Sequence, residues 1–165
     1  MWLTIRYTGN WFSKWLRYAL ALLPVWLMDS FILARFPLWG VTPMLLPVAV
    51  AVVAVLEGVE GGAGFGFGVG LLWATAYAGG VGSRVLVLML VGMFAGALAR
   101  HALARSLLGS MICCGAAVAV IQLIYGAADL FFVRVTLWEF ICVAAPQLLC
   151  SLAWTPVVYL LFHRV

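Results

Sequence analysis

Two aspartates lie inside long apolar stretches of the sequence, where an ionised side chain could serve ion transport, proton transfer or ligand binding. Asp29 falls within the first apolar stretch, and Asp129 falls near the end of the fifth. Ionisable residues at membrane depth are rare because their burial is unfavourable, so each is a candidate functional residue. We predict an outer charge cluster of Asp29, Asp129, Arg35 and Arg134, with Arg84 on the same membrane face. Acid–arginine pairing across helices would stabilise it. A structural clamp is favoured over a transport or partner-binding site, because nothing orders these charges into a proton relay.

The other reactive residue types form no catalytic arrangement. His101 and His163 each lie next to an arginine, which favours solvation at a membrane edge over metal binding or acid–base catalysis. The glycine-rich segment in the middle of the chain lacks the third glycine of a dinucleotide fingerprint, because Leu71 stands at that position. The cysteines contain no C-x-x-C pair and are interpreted as small packing residues: Cys113, Cys114, Cys142 and Cys150. We therefore predict no enzymatic activity, no metal site and no cofactor.

The amino-acid composition indicates the class of protein in which these residues lie. Hydrophobic residues make up 67% of the 165-residue chain and charged residues 8%, a balance typical of integral membrane proteins. Each helical bilayer crossing takes about 20 residues, so the chain has no room for a large soluble domain. Its apolar stretches also lack the polar–apolar alternation of spanning β-strands. The sequence thus predicts an all-α, polytopic protein with one integral membrane domain over residues 1–165.

Charged residues and prolines divide the chain into six predicted crossings of a compact bundle, near residues 15–34, 43–56, 64–78, 85–99, 107–132 and 140–162. This arrangement places on one side of the membrane Arg6, Lys14, Arg17, Arg100, Arg105 and Arg164, and on the other only Arg35, Arg84 and Arg134. By the positive-inside rule, both termini are then cytoplasmic. The net charge of +4 is spread along these membrane edges, which indicates contact with membrane lipids and not with nucleic acid.

Glycines dominate the segment from residue 61 to residue 82. Gly62, Gly66 and Gly70 recur every four residues and form what we call the first glycine ridge. Gly64 and Gly68 form the second glycine ridge beside it. Small residues let helices approach to backbone distance in lipid, where apolar burial gives little drive for helix association. We predict that this helix packs closely on another helix, either inside the bundle or in a partner protein.

The same segment resembles the central signature of the MreD family of rod shape-determining proteins. The matching residues are Gly66-Phe67-x-x-Gly70-Leu71-Leu72, followed by Gly82 and Arg84-Val85. Further similarity lies in Pro43-x-Leu45-Leu46, in the basic turn at residues 100–105 and in Pro156-x-x-Tyr159-Leu160. The family often closes its G-F-x-x-G-L-x-x-D pattern with an aspartate, whereas Ala74 stands there in this chain. No role of that acid is therefore transferred. The predicted helix-packing or partner-binding residues are Gly62, Gly66, Phe67, Gly70, Gly82 and Arg84.

This resemblance implies a non-enzymatic, multi-pass protein of the bacterial inner membrane that acts in cell-wall elongation. Proteins of the family bind MreC, which links them to the transpeptidase and the glycosyltransferase that build lateral peptidoglycan. They also act with the cytoskeletal MreB filament. The implied function is a membrane scaffold that supports rod-shape maintenance and the regulation of peptidoglycan synthesis.

The MreD fold is similar to that of the substrate-binding components of energy-coupling-factor vitamin transporters, which provides an alternative function. Such a component needs a pocket near the outer face with a few converging polar and aromatic groups. Trp26, Asp29, Trp73, Tyr77 and Asp129 are the residues that could line one. A scaffold would use the same helix faces to pack against other proteins.

Overall fold

The computed structural model describes residues 8–33, 35, 41–76, 81–101, 107–131 and 136–163 of the chain. These residues form six α-helices: α1 Thr8–Leu27, α2 Leu45–Glu57, α3 Val59–Ala76, α4 Val81–His101, α5 Leu107–Phe131 and α6 Leu137–His163. A π-helical segment, Met28–Leu33, continues α1. Each predicted crossing falls on one of the helices, so the prediction of an all-α protein is confirmed.

Four stretches of the described helices are long and apolar enough to cross a membrane: Ser13–Ile32, Gly82–Arg100, Leu108–Ala127 and Trp138–Phe162. They belong to α1 with its π-helical continuation, α4, α5 and α6. α2 has only 13 residues. At about 1.5 Å per residue it is shorter than the roughly 30 Å hydrocarbon core of a bilayer. The structure thus supports a multi-pass membrane protein, while the count of six crossings and the cytoplasmic termini stay predictions.

α2 lies at the centre of the bundle. Every residue from Leu45 to Val55 is buried, and the helix contacts each of the other five. Its sequence is apolar on every side, which is typical of a helix that other helices enclose. We predicted this helix to begin at residue 43, but it begins at Leu45, with Met44 at the N-cap position. The backbone N–H groups of Met44 and Leu45 are bound by the side chains of Ser151 and Asp29.

Gly58 turns the chain directly from α2 into α3. Its φ of 86° and ψ of −167° lie in a region of backbone conformation that essentially only glycine adopts. The Gly58 N–H donates to the carbonyl oxygen of Ala54 at 2.9 Å, and the Gly58 carbonyl accepts from the N–H of Gly62 at 2.8 Å. Both helix ends therefore keep backbone hydrogen bonds across the turn.

The last residue of α2, Glu57, ties this helix to α1. Lys14 Nζ donates to Glu57 Oε2 at 2.7 Å, and the Tyr18 hydroxyl donates to Glu57 Oε1 at 2.7 Å. The Tyr18 ring stacks on Phe162 of α6 with a centroid separation of 6.0 Å. It also meets the edge of Phe65 of α3 at 6.4 Å. Side chains of α1, α2, α3 and α6 therefore join at this end of the bundle.

Candidate functional site

The first glycine ridge faces α4. A Cβ atom added at Gly66 would lie 2.5 Å from the carbonyl oxygen of Leu88. At Gly70 the added atom would lie 2.7 Å from the Cα atom of Val85. Real Cβ atoms essentially never come this close to backbone atoms, so a larger residue would force the two helices apart. The structure therefore places this ridge in contact within the bundle.

Two glycines of α4 complete this contact, and sequence reasoning missed them. A Cβ atom at Gly62 would lie 2.5 Å from the carbonyl oxygen of Gly92, and one at Gly92 would clash in turn with the carbonyl of Gly62. Gly96 would place a Cβ atom 2.7 Å from the carbonyl carbon of Gly58. A signal was present in the sequence, since Gly92 and Gly96 have the same four-residue spacing as the first ridge.

The second glycine ridge faces away from α4. In the described part of the chain, apart from the adjacent residues and the nearby backbone of α3 itself, no atom lies within 4 Å of a Cβ atom added at Gly64 or Gly68. Phe67 on the same helix is 48% exposed. Gly82, at the start of α4, likewise has open space around its added Cβ atom among the described residues. α3 therefore has one face closed by α4 and one open face.

Among the members of the predicted outer charge cluster, Asp29 is the one for which the structure describes a side-chain hydrogen bond. It lies in the π-helical segment, and its Oδ1 atom accepts a hydrogen bond from the backbone N–H of Leu45 at 3.2 Å. Arg35 is exposed. The Asp129 side chain and Arg134 lie outside the described residues, so their part in the cluster stays a prediction. The hydrogen-bond partner shown for Asp29 is a backbone group, not an arginine side chain.

Side chains of other helices hold the start of α2. Besides the bond to Asp29, the Ser151 Oγ atom accepts from the N–H of Met44 at 3.1 Å. Gln147 Nε2 donates to the carbonyl oxygen of Thr42 at 2.9 Å. The first N–H groups of a helix have no partner within the helix, and in a membrane they must find one inside the protein. A carboxylate also interacts favourably with the positive end of the helix dipole. This geometry supports a structural capping role for Asp29.

A cavity of about 300 Å³ lies beside this start of α2, and we call it the Asp29 cavity. Its polar and aromatic lining residues are Asp29, Thr42, Trp73, Arg84, Tyr125 and Gln147. Of the residues that the sequence suggested for an outer pocket, the cavity brings together Asp29 and Trp73. Tyr77 and the Asp129 side chain lie outside the described residues. Trp26 packs against the core cluster and not in this lining.

Arg84 and Tyr125 give the Asp29 cavity features that the sequence did not reveal. The sequence placed Arg84 on the same membrane face as Asp29 and suggested helix packing or partner binding for it. In the structure Arg84 lines the cavity, and its guanidinium carbon lies 5.9 Å from the centre of the Trp73 ring. That distance is within cation–π range. The Tyr125 hydroxyl is buried and has no hydrogen-bond partner among the described residues. A single tyrosine in an apolar helix gave no signal, because it resembles any packing aromatic residue.

No protein-family model, curated protein or solved structure matches the chain. The resemblance to the MreD family stays a prediction that rests on the residues quoted from the sequence. Within the described residues, no group of three or more His, Cys, Asp or Glu side chains could hold a metal ion. Two features of the described residues could serve a function, namely the open face of α3 and the Asp29 cavity.

Proposed function

We propose that the protein is a non-enzymatic scaffold of the bacterial inner membrane that acts in cell-wall elongation, as the resemblance to the MreD family implies. The observation that best supports this proposal is that one face of α3 is packed against α4 and another face is open. Its first glycine ridge packs on α4, while Gly64, Gly68 and Phe67 are open. A close-packed bundle with one open, small-residue face is suited to binding a helix of another membrane protein.

The proposed partner site is the groove between the open face of α3 and α1. The groove has a volume of about 460 Å³, and its lining includes Trp15, Ala19 and Leu22 of α1 together with Gly64 and Gly68 of α3. The two glycines allow a third helix to approach α3 to backbone distance. We assign this groove to the membrane helix of an MreC-like protein.

The MreC-like partner connects the scaffold to the transpeptidase and the glycosyltransferase of lateral peptidoglycan synthesis. Lys14, Arg17 and Arg100 are exposed near the helix ends that the charge distribution predicts to be cytoplasmic. An MreB-like filament would lie on that side. In this proposal the protein acts by binding and positioning its partners, so it needs no catalytic group.

Purification in mild detergent, followed by identification of the bound chains, tests this function. We expect an MreC-like protein to be recovered with the wild type. Gly68→Leu should reduce that recovery, because the leucine fills the groove. Leu108→Ala, at a 72% exposed position of α5, is the control and should leave recovery unchanged. Normal partner recovery with Gly68→Leu would contradict the proposed site.

The Asp29 cavity favours a second candidate function, the substrate-binding component of an energy-coupling-factor transporter. It joins charged, amide and aromatic side chains in one pocket, which is the arrangement of a small-molecule site. The same purification separates the two candidates, because a transporter component would be recovered with energy-coupling proteins in place of an MreC-like protein.

A further inference from the structure

We propose that the Asp29 cavity binds a small zwitterion that carries an ammonium group and a phosphate or carboxylate group. This inference goes beyond the scaffold function and does not depend on it. It rests on the charges of opposite sign in the cavity wall, on a buried hydroxyl that has no hydrogen-bond partner among the described residues, and on the place of the cavity in the bundle.

Arg84 and Tyr125 form the anion-binding part of the cavity. Arg84 supplies a permanent positive charge beside the Trp73 ring, 5.9 Å from the ring centre. The buried Tyr125 hydroxyl has no hydrogen-bond partner among the described residues, which is an unfavourable state for a polar group away from water. A phosphate or carboxylate oxygen in the cavity would accept a hydrogen bond from this hydroxyl and pair with the guanidinium group. Such charge-assisted hydrogen bonds are stronger than neutral ones.

Asp29 is the cation-binding residue of the same cavity. Among the described residues, its Oδ1 atom accepts a hydrogen bond from the N–H of Leu45, whereas an ionised carboxylate has about four acceptor positions. The carboxylate can therefore cap α2 and still accept from an ammonium group. A purely anionic ligand would be repelled by Asp29, and a purely cationic one by Arg84. A zwitterion offers a group of opposite charge to each of these two residues.

Gln147 is held by contacts inside the protein and shapes the cavity. Its Nε2 atom donates to the carbonyl of Thr42 at 2.9 Å, and its Oε1 atom accepts from Gln122 Nε2 at 3.3 Å. Gln122 also donates to the carbonyl of Ala144 at 3.2 Å. Because both ends of the Gln147 amide are engaged, we assign ligand recognition to Asp29, Arg84 and Tyr125.

The volume of the cavity and its position at one end of the candidate membrane spans suggest a ligand the size of a lipid headgroup. A volume of about 300 Å³ is at the lower end of ordinary ligand pockets. Asp29 lies near the end of the candidate span Ser13–Ile32, and Arg84 lies near the start of Gly82–Arg100. The cavity therefore lies at one end of the candidate spans, where headgroups are found in a bilayer. The same chemistry is present in the phosphatidylethanolamine headgroup and in free phosphoethanolamine or an amino acid.

Native mass spectrometry and titration of the purified full-length protein test this proposal. The probes are short-chain phosphatidylethanolamine, phosphoethanolamine and short-chain phosphatidylglycerol, which has a phosphate but no ammonium group. We expect phosphatidylethanolamine to bind more tightly than phosphatidylglycerol. Binding of phosphoethanolamine as well would indicate a free zwitterion as the natural ligand, whereas binding of the lipid alone would indicate a headgroup held with its chains.

Three variants and one control locate the binding site. Arg84→Gln and Tyr125→Phe should each weaken phosphatidylethanolamine binding, the former by at least about tenfold because it removes a charge-assisted contact. Asp29→Asn keeps an acceptor for the Leu45 N–H but removes the charge, so it should reduce the preference for phosphatidylethanolamine over phosphatidylglycerol. Arg100→Gln, at an exposed position at the other end of α4, should behave as wild type. Equal binding of the two lipids by the wild type, or unchanged binding in Arg84→Gln and Tyr125→Phe, would overturn the proposal.

Discussion

Gly66 of α3 and Leu88 of α4 bring the backbones of their two helices into contact, since a Cβ atom at Gly66 would lie 2.5 Å from the Leu88 carbonyl oxygen. The same closeness recurs at Gly62 and at Gly70. Helices in lipid associate largely through such packing, because leaving the lipid tails gains little free energy. The α3–α4 contact is therefore expected to contribute strongly to the stability of the bundle.

Alanine substitutions on the two ridges should separate the closed face of α3 from its open face. Gly66→Ala should destabilise the protein by roughly 1–3 kcal/mol, because the added methyl group overpacks a filled contact. Gly68→Ala is the matched control in the same helix, and there the added methyl group meets open space. It should be neutral or slightly stabilising, because alanine has the higher helix propensity. Thermal unfolding in detergent measures both, and equal midpoints would contradict the packing described for the first ridge.

Substitutions at Asp29 should reveal its role at the start of α2. Asp29→Ala removes the acceptor for the Leu45 N–H and should lower the free energy of unfolding by about 0.5–2 kcal/mol, as for other helix caps. Asp29→Asn should be less destabilising, because its side-chain oxygen still accepts. Thr75→Ala removes an exposed hydroxyl that, among the described residues, donates to the carbonyl oxygen of Leu72 in its own helix, and it should have little effect. An equal decrease in the free energy of unfolding in Asp29→Asn and Asp29→Ala would show that the charge of Asp29, and not its hydrogen bond to Leu45, stabilises the helix.

The two partners of Glu57 should contribute unequally to stability. Tyr18 is 4% exposed, and hydrogen bonds to charged groups contribute about 1.5–3 kcal/mol. The Lys14 side chain is 48% exposed, and an ion pair of this kind contributes about 0–1 kcal/mol and weakens in salt. Tyr18→Phe should therefore lower the unfolding midpoint more than Lys14→Met does. The Lys14 effect alone should shrink at high ionic strength, and the reverse order would show that the ion pair dominates.

Cysteine labelling in intact cells tests the predicted orientation. In a background without the native cysteines, Thr136→Cys should react with a membrane-impermeant reagent from outside, whereas Ser13→Cys should react only after the cells are opened. Both positions are exposed, so the difference reports the side of the membrane and not burial. Labelling of Ser13→Cys from outside would reverse the assignment that the positive-inside rule predicts.

The sequence predicted the helices well, because uninterrupted apolar stretches, charges and prolines mark their ends. It did not show which faces meet. α2 is apolar on every side, so no periodic pattern indicates its partners. The first glycine ridge predicted a close contact, but its spacing did not identify the facing helix, and Gly92 was recognised as the partner of Gly62 only when α3 and α4 were placed together. The cavity also depends on long-range packing, since Asp29, Arg84 and Tyr125 come from separate helices.

Site-specific photo-crosslinking in cells tests the proposed scaffold function most directly. Leu72 is 39% exposed and lines the groove between α1 and α3, so it is the position for a photoreactive residue. Phe94 is 72% exposed in a different groove, between α4 and α5, and is the matched control. We predict that the probe at position 72 crosslinks to the membrane helix of an MreC-like protein and that the probe at position 94 does not. Crosslinking of position 72 to lipid alone, or the same protein product from both positions, would contradict the account.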